Sequence, residues 1–412
     1  MKEPSMKIIL FEDNQSNNLR PIGLFHPLFE LHTGAWTLNN LVKLLDIPVL
    51  TIIREHFLIN ESHNPNITTM AGESLLFLNA SIEPDVRYKE TILDLIQSGD
   101  PFITTSSNRV AAALVPPGKD LPETITSDTV SSVLLEMGLP LEHEIFKTID
   151  WPHQVVDSHT RLFDTNLEHL ISSGSYKETS PGVFLGENIE LASSSVIDTS
   201  SGPVVIGDNV TILPYTYFAG PVYIGRDTRI IEHSSIKDHT SVGDVCKIGG
   251  EVETSTLEPY SNKQHHGFLG HSWVGRWVNL GAGTTTSDLK NTYGKIRVDY
   301  MGHRVDTGMQ FLGSIIGDFV KTAINTTLFT GKIVGVCSMI YGTIATNVPS
   351  FSNYARSFGQ VTEISIEQLI TTQKRMYSRR GVEQNKYDIE LMKRVFEMTK
   401  NERVMSDEQI NF

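Results

Sequence analysis

The chain of 412 residues is longer than one hydrophobic core normally supports, so two or more domains are expected. A net charge of −14 and a pI of about 5.5 argue against nucleic acid or an anionic membrane as partner, because a surface that follows phosphates needs surplus lysine and arginine. Cys246 and Cys337 lie far apart and predict neither a disulfide framework nor a thiolate metal site. We expect a cytoplasmic protein, because the apolar run at residues 8–11 is too short for a signal peptide.

Short apolar runs alternate with helical patterns in the first part of the chain. The runs KIILF, PVLTII, SLLFLNA and FITTS predict strands, whereas TLNNLVKLL and YKETILDLIQSG predict amphipathic helices. Such alternation is typical of a Rossmann-like α/β domain with a parallel sheet. The polar residues 172–182 form its boundary, so we assign this domain to residues 1–175.

A hexapeptide repeat follows and predicts a β-helix over residues 182–348. Each repeat forms one short strand with one apolar residue pointing to the axis, and three repeats complete a triangular coil. The longest unbroken register comprises Ile206, Ile212, Phe218, Ile224, Ile230, Ile236, Val242 and Ile248. Residues 250–267 and 287–310 break the register, so we expect both segments to be loops that leave the coil and carry a site or a subunit contact.

Residues 349–412 lack the repeat and predict a helical tail. The first apolar stripe consists of Ile366, Leu369, Ile370, Met376 and Tyr377, and the second of Ile389, Met392 and Phe396. Because a solenoid must cover its open ends, we expect these helices to cap the β-helix. A membrane-surface role is the alternative.

The segment HHGFLGHSWVGRWVNLGAGTTTSD resembles the acetyltransferase domain of the bacterial bifunctional enzymes that make UDP-N-acetylglucosamine. That domain is a left-handed β-helix with a His-x-x-Tyr-Leu-Gly segment followed by Asn-x-Gly-Ala-Gly-Thr. The resemblance implies that His265 is the catalytic base, that Phe268 replaces the tyrosine, and that Asn279 binds the sugar. A histidine suits the role of base because its usual pKa of about 6.5 lies near cytoplasmic pH.

The same resemblance extends to further contacts with an amino-sugar 1-phosphate. Asp288 stands where the family has an asparagine, and Lys290 and Lys295 are available for the phosphate. Acetyl-coenzyme A is implied as co-substrate along the later coils, where Ile324 replaces a serine of the family. A homotrimer is implied as well, since these β-helices place their sites between neighbouring subunits.

The N-terminal part resembles the sugar nucleotidyltransferase domain found with this β-helix in an alternate branch of the family. The segments ILFEDNQSNNLRPIGLFHPLFELHTGAWTL, FLNASIEPD and DWPHQVVDSHTRLFDTNLEHLI carry this resemblance. It implies nucleotide contacts from Arg20, Asp13 and Asn79, and Asp157 as a ligand of Mg²⁺. The chain departs from the family in having no glycine before Gly23 in the phosphate-binding loop and an asparagine, Asn79, in place of a metal-binding aspartate.

The leading hypothesis is a transferase of the UDP-N-acetylglucosamine type. It would acetylate an amino-sugar 1-phosphate with acetyl-coenzyme A in the β-helix, with nucleotidyl transfer from UTP or dTTP as the second activity. The alternative is a nucleotidyltransferase-like or sugar-nucleotide-binding protein whose β-helix is an oligomerising scaffold. A purely structural scaffold is the third interpretation.

Overall fold

The computed structural model describes residues 6–59 and 72–404. The chain divides into two compact units. The first contains Met1–Leu19, Phe25–Leu31 and Trp36–Trp151, and the second contains Arg20–Leu24, His32–Ala35 and Pro152–Phe412. The long helix that begins at Pro152 therefore belongs to the second unit, together with the repeats and the tail.

The first unit is built on a mixed six-stranded sheet. Its strands are β1 (Met6–Phe11), β2 (Val49–Ile52), β3 (Ser74–Asn79), β4 (Phe102–Ser106), β5 (Arg109–Val115) and β6 (Leu141–Glu142), in the order β2-β1-β3-β5-β4-β6. The predicted all-parallel sheet is wrong at β5, which runs antiparallel to both neighbours. Ser107 and Asn108 join β4 to β5 with φ of 49° and 66°, and a two-residue turn of this kind forms an antiparallel hairpin.

The helices of the first unit lie between these strands. They are α1 (Leu38–Lys43), α2 (Tyr88–Ser98) and α3 (Val130–Glu136), with short 3₁₀ helices at Asn14–Leu19, Leu28–Glu30 and Glu55–Phe57. The Thr37 side chain accepts a hydrogen bond from the Asn40 amide and starts α1, and Gly99 ends α2 at a φ of 67°. The predicted strands and helices of this unit are thus confirmed, and β5, β6 and α3 are added to them.

The second unit begins with α4 (Pro152–Ser172) and continues as a parallel β-helix. Its early strands are β7 (Lys177–Ser180), β8 (Val183–Leu185), β9 (Glu190–Leu191), β10 (Val196–Asp198), β11 (Val204–Ile206), β12 (Thr211–Ile212), β13 (Tyr217–Ala219), β14 (Val222–Ile224), β15 (Arg229–Ile230) and β16 (Ser235–Lys237). The middle strands are β17 (Thr240–Val242), β18 (Lys247–Ile248), β19 (Glu251–Glu253), β20 (Thr256–Leu257), β21 (Asn262–Lys263), β22 (Phe268–Gly270), β23 (Trp273–Val274) and β24 (Thr285–Thr286). The late strands are β25 (Arg297–Tyr300), β26 (His303–Asp306), β27 (Ser314–Ile316), β28 (Lys321–Thr322), β29 (Thr327–Leu328), β30 (Lys332–Val334), β31 (Met339–Ile340), β32 (Thr343–Ile344), β33 (Ser352–Ala355) and β34 (Gln360–Glu363).

Successive coils stack their strands into three faces. The first face runs from β8 through β11, β14, β17, β20, β23 and β27 to β30, with β7 added antiparallel at the start. The second contains β9, β12, β15, β18 and β21 and the third β10, β13, β16, β19 and β22. All eight residues of the unbroken predicted register are at most 2% exposed, so the repeat fills the axis as predicted.

Residues 250–267 remain within the coil, so the prediction of a loop there is wrong. They form β19, β20 and β21, which pair in register with the preceding coil at Ile236↔Val252, Val242↔Leu257 and Ile248↔Lys263. The two residues of each pair are separated by 16, 15 and 15 positions in the sequence, whereas Ile212 and Ile230, which pair between earlier coils, are separated by 18. A coil with shorter corners interrupts the sequence register without interrupting the stack. Residues 287–310 do leave the coil, as predicted, and carry the antiparallel hairpin β25–β26.

The tail comprises α5 (Ile366–Ser378), α6 (Lys386–Met398) and α7 (Lys400–Val404), after a 3₁₀ helix at Arg356–Phe358. The Tyr377 ring of α5 lies 4.5 Å from the ring of Trp277, a corner residue of an earlier coil. Phe396 of α6 packs edge-on against Phe351, which follows the last coil, at 5.1 Å. The prediction that the tail caps the end of the β-helix therefore holds for α6, whereas α5 packs against the side of the β-helix. No helix in residues 6–59 and 72–404 has the length and apolar character to cross a bilayer.

Candidate functional site

Phe268 and Asp288, two of the predicted substrate residues, come together on the third face of the β-helix. Phe268 begins β22, and Asp288 follows β24 one coil later. A Cβ on Gly270 would lie 2.4 Å from a ring carbon of Phe268 and 2.5 Å from Oδ2 of Asp288. Because these distances are below contact, a glycine at position 270 is what allows the ring and the carboxylate to converge.

His271 lies at the centre of this group and was not predicted. Its Nδ1 is 2.8 Å from Oδ2 of Asp288, and its ring stacks on Phe311 with centroids 5.1 Å apart. A ligand atom of Glu253 lies within 4.8 Å of those of His271 and Asp288. We call Glu253, Phe268, His271, Asp288 and Phe311 the Phe268 cluster.

The cluster follows the coil spacing, which is the signal that could have revealed it from sequence. Glu253 and His271 are 18 positions apart, and His271 and Asp288 are 17 apart. Residues one coil apart lie above one another in a β-helix. A search for reactive residues at that spacing, rather than within one motif, would have found the group.

Carboxylates outnumber cations around the cluster. Lys237 Nζ lies 2.7 Å from Glu251 and 3.1 Å from Glu253. Burial lowers the pKa of Lys237, but its hydrogen bonds to the two glutamates outweigh that effect and leave the pKa raised. Since one ammonium group faces Glu251 and Glu253, with Asp288 beside them, this end of the site favours a cationic or amine-bearing group.

Two of the predicted lysines, Lys290 and Lys295, follow Asp288 in the excursion of residues 287–310. Lys290 Nζ donates to the carbonyl of Lys295 at 2.6 Å. Burial first, and the positive charge of Lys290 second, lower the pKa of Lys332, which indicates that the two ammonium groups lie close enough to interact. The Phe268 cluster is therefore acidic around Glu253, whereas the segment that follows Asp288 carries the positive charges of Lys290 and Lys295.

His265 and Asn279 occupy different positions from the Phe268 cluster. His265 is exposed at the corner between β21 and β22, and no hydrogen bond or ion pair to its ring is present within the described part of the chain. Asn279 is exposed on the second face, where its Oδ1 lies 3.5 Å from Nδ2 of Asn262. Arg380 of the tail donates to Oδ1 of Asn262 at 2.6 Å, so Asn279 adjoins a residue that the tail already holds.

Lys263 holds the backbone of the corner that carries His265. Its Nζ donates to the carbonyls of Gly249 at 2.9 Å and His265 at 2.5 Å. Lys263 occupies an inward position of β21, is 1% exposed, and burial lowers its pKa to about 8. On the predicted coenzyme A side, Ile324 is 70% exposed on a later coil, so the residue that replaces the family's serine is a surface residue.

In the first unit, Asp13 and Asn79 meet at the carboxyl ends of β1 and β3. Asn79 Nδ2 donates to Asp13 Oδ2 at 2.9 Å, and both residues are at most 1% exposed. Arg109 closes the network, with Nε 2.8 Å from Oδ2 of Asp13 and Nη2 2.6 Å from Oδ1. Arg109 also reaches Asp150 at 3.3 Å, although burial outweighs this contact and raises the pKa of Asp150. Sequence reasoning missed Arg109 entirely.

This donor set does not fit Mg²⁺. Oxygen ligands would have to be open to the ion, yet the carboxylate of Asp13 is bound by a guanidinium that already supplies the positive charge. Asp157 is exposed on α4 in the second unit, and Arg20 also belongs to the second unit. Within residues 6–59 and 72–404, the one group of three metal-ligand side chains is Glu253, His271 and Asp288, which includes none of the predicted nucleotide or metal residues.

The chain combines a nucleotidyltransferase-like domain, built on the mixed sheet, with a hexapeptide-repeat β-helix. Residues 8–174 match the family described as sugar nucleotidyl transferase, and residues 203–238 match the bacterial transferase hexapeptide repeats. These matches confirm the predicted resemblance and fold class.

Curated relatives are named as bifunctional proteins. A bifunctional sugar-1-phosphate nucleotidylyltransferase/acetyltransferase of Sulfurisphaera tokodaii is 34% identical over 142 residues, which cover 34% of this chain and 35% of that protein. A bifunctional protein GlmU of Rippkaea orientalis is 31% identical over 144 residues, which cover 34% of this chain and 27% of that protein. The match thus spans about a third or less of the length of these relatives, of which the Sulfurisphaera tokodaii protein is named as a transferase.

Proposed function

We propose that the β-helix transfers an acetyl group from acetyl-coenzyme A to the amine of an amino-sugar 1-phosphate, as in UDP-N-acetylglucosamine biosynthesis. The observation that carries the proposal is the convergence of Phe268 and Asp288 on the third face of the β-helix, with Lys290 two positions after Asp288 in the sequence. Phe268 offers a ring face to the sugar, although it lacks the hydroxyl of a tyrosine. The acidic side suits the amine and the lysines suit the phosphate, so the charges match both ends of one substrate.

Acetyl transfer also needs a base for the amine proton, and two histidines are candidates. His265 has the position that the family resemblance assigns to the base, and Asn279 has the position of the sugar-binding asparagine. His271 is the second candidate, because it lies in the Phe268 cluster with a carboxylate on its ring. Acetyl-coenzyme A, a homotrimeric state and a cytoplasmic location complete the proposal, each supported by the family resemblance.

A second candidate function concerns the first unit and is favoured by the Arg109 network. We propose that this unit binds a sugar nucleotide without transferring a nucleotidyl group, because Arg109 engages Asp13 where a magnesium ion would need open oxygens. Transfer from UTP or dTTP, with Arg20, Asp13 and Asn79 on the nucleotide and Asp157 on the metal, is the competing proposal. The β-helix as an oligomerising scaffold remains the alternative to acetyl transfer.

The experiment compares substrates with and without the phosphate. Purified protein is incubated with acetyl-coenzyme A and either glucosamine 1-phosphate or glucosamine, and free thiol is followed. We expect activity with the phosphorylated sugar, and we expect Lys290→Ala to raise its KM at least tenfold while leaving the slower reaction of glucosamine unaffected. Lys177→Ala, at an exposed lysine of β7, is the matched control. Absence of thiol release with every amino sugar tried would overturn the acetyl-transfer proposal.

The nucleotide branch is tested separately. The protein is incubated with UTP or dTTP, N-acetylglucosamine 1-phosphate and Mg²⁺, and pyrophosphate is followed, while UDP-N-acetylglucosamine binding is measured by calorimetry with and without Mg²⁺. We expect binding that does not depend on the metal and no pyrophosphate. Magnesium-dependent release of pyrophosphate would replace the binding proposal with catalysis.

A further inference from the structure

Lys263 occupies an inward position on the second face of the β-helix, where the preceding coils carry buried apolar residues. The pairing of the strands aligns it with Ile212, Ile230 and Ile248. Burial is unfavourable for an ammonium group, and it lowers the pKa of Lys263 to about 8. Since the preceding coils stack with isoleucine at this position, the stacking itself does not require a lysine.

The ammonium group of Lys263 ties together two corners between the second and third faces. Its Nζ donates to the carbonyl of Gly249, in the preceding coil, at 2.9 Å and to the carbonyl of His265 at 2.5 Å. Lys263 is 1% exposed, whereas His265, two positions later, is exposed. The residue that the family resemblance assigns as the base is therefore held through its own backbone, from inside the coil.

Other corners between these two faces are tied by a hydroxyl group. Thr216 Oγ1 donates to the carbonyl of Leu213 at 2.8 Å, and Thr326 Oγ1 donates to the carbonyl of Ala323 at 2.9 Å. Each of these threonines follows an inward residue of the second face by four positions. A hydroxyl at that position thus fixes the corner without help from the interior of the coil.

Glycine at position 267 leaves the next corner without such a hydroxyl. Gly267 follows Lys263 by four positions and has a φ of 123°. A Cβ there would lie 2.1 Å from the carbonyl oxygen of Thr284, so serine or threonine does not fit. The carbonyl of His266 accepts a hydrogen bond from the amide of Gly283 at 3.1 Å, which holds this corner to the following coil. Lys263 supplies the tie that a hydroxyl supplies at the other corners.

We infer that Lys263 is a positioning residue for His265, and that it fixes the corner from which this histidine takes the proton of the acceptor amine. The inference rests on the proposed acetyl transfer. A general base acts only within hydrogen-bond reach of the proton it removes, and a displacement of about 1 Å can lower a rate by about 10²-fold. Lys263 is buried in the coil and acts on the substrate only through the backbone that it holds.

The first test is a double-mutant cycle in the acetyl-transfer assay. We expect Lys263→Met to lower kcat by about 10-fold to 10²-fold, with less than about a twofold change in the KM for acetyl-coenzyme A. We expect His265→Gln to lower kcat by about 10²-fold to 10⁴-fold. If Lys263 acts through His265, the double variant should match His265→Gln within about threefold. Losses that multiply would show an independent structural effect and overturn the inference.

Thr216→Val is the matched control, because it removes the corresponding tie of another corner. We expect its kcat to stay within about twofold of that of the unmodified protein, since that corner carries no residue of the proposed site. If Lys263→Met does not fold, Lys263→Ile replaces it, because isoleucine fills the same position at Ile248 of the preceding coil. Failure of both variants to fold would make Lys263 a structural residue and overturn the inference.

The second test does not depend on activity. The amides of Gly249 and Glu251 donate to the carbonyls of Lys263 and Gly267, at the two ends of the corner, at 2.6 and 3.2 Å. We expect Lys263→Met to speed hydrogen–deuterium exchange of these two amides by about tenfold or more and to leave residues 213–217 unchanged. Unchanged exchange at Gly249 and Glu251 would overturn the inference even if acetyl transfer occurs. Faster exchange in a protein that transfers no acetyl group would count against the proposed function and not against the tie.

Discussion

Lys263 makes the stability of the β-helix depend on pH in a range where few groups titrate. The side chain is 1% exposed within the coil, and burial lowers its pKa from 10.5 to about 8. The folded protein therefore holds this proton less tightly than the unfolded chain does. Stability then rises with pH between about 8 and 10.5, because over that range the unfolded state binds more protons.

The perturbation is Lys263→Met, which keeps most of the length of the side chain and removes the ammonium group. The full shift corresponds to about 3 kcal/mol, of which about 2 kcal/mol falls between pH 7.5 and 9.5. The variant also loses the hydrogen bonds to the carbonyls of Gly249 and His265, at a cost of about 1–3 kcal/mol for each group left unpaired. That cost does not depend on pH. The pH dependence of the free energy of unfolding therefore tests the titration of Lys263, whereas the free energy at a single pH does not.

Urea denaturation followed by far-UV circular dichroism at pH 7.5, 8.5 and 9.5 provides the measurement. We expect the unmodified protein to gain about 2 kcal/mol relative to Lys263→Met across this range. Lys321, whose pKa burial also lowers to about 8, is present in both proteins and cancels in the difference. Lys177→Met is the matched control at an exposed lysine. Parallel curves for the two proteins would show that Lys263 titrates normally and refute the reasoning.

Three further predictions address other parts of the molecule. Gly270→Ala should lower acetyl transfer at least tenfold and lower the free energy of unfolding by about 1–3 kcal/mol, because its Cβ would displace Phe268 or Asp288. Gly294→Ala, whose Cβ would make only an ordinary contact 3.8 Å from Thr292 Oγ1, should change neither the kinetics nor the urea denaturation. Arg109→Met should cost about 3–5 kcal/mol in urea denaturation by leaving Asp13 buried without its partner, and a loss below about 1 kcal/mol would contradict the network. Burial lowers the pKa of His159 from 6.5 to about 4, so the free energy of unfolding should fall by about 3 kcal/mol as the pH falls from 6.5 to 4. Thermal unfolding of a His159→Gln variant tests this cause. The same pH slope in the variant and the unmodified protein would exclude it.

The sequence predicted the architecture of the β-helix well because a hexapeptide register reports directly which residues face the axis. It failed at residues 250–267, where shortened corners moved the inward positions to Val252, Leu257 and Lys263. A lysine at an inward position breaks the apolar pattern, so the pattern alone does not predict that this residue faces the axis. Its ammonium group is satisfied by two backbone carbonyls that become neighbours only after the coil has closed.

The candidate sites were predicted in part. Phe268, Asp288 and Lys290 were predicted from a family resemblance, whereas His271, which contacts Asp288, was not predicted. In the first unit, Asp13 and Asn79 were predicted separately as nucleotide contacts, and the structure shows that they hydrogen-bond to each other. Arg109, 96 positions after Asp13, gave no signal, because the antiparallel hairpin that brings it there was itself not predicted.

Each unit holds a carboxylate where a ligand site is expected, but the charge of that carboxylate is balanced differently in the two units. Asp13 is completely buried and meets a permanent cation, Arg109, so its charge is neutralised without any ligand. Asp288 is partly exposed and meets a histidine, whose charge can change during a reaction. A site that must take up and release a proton needs the second arrangement, and a site that must only keep its shape is served by the first. This difference supports the proposals that acetyl transfer belongs to the β-helix and that the first unit binds a sugar nucleotide.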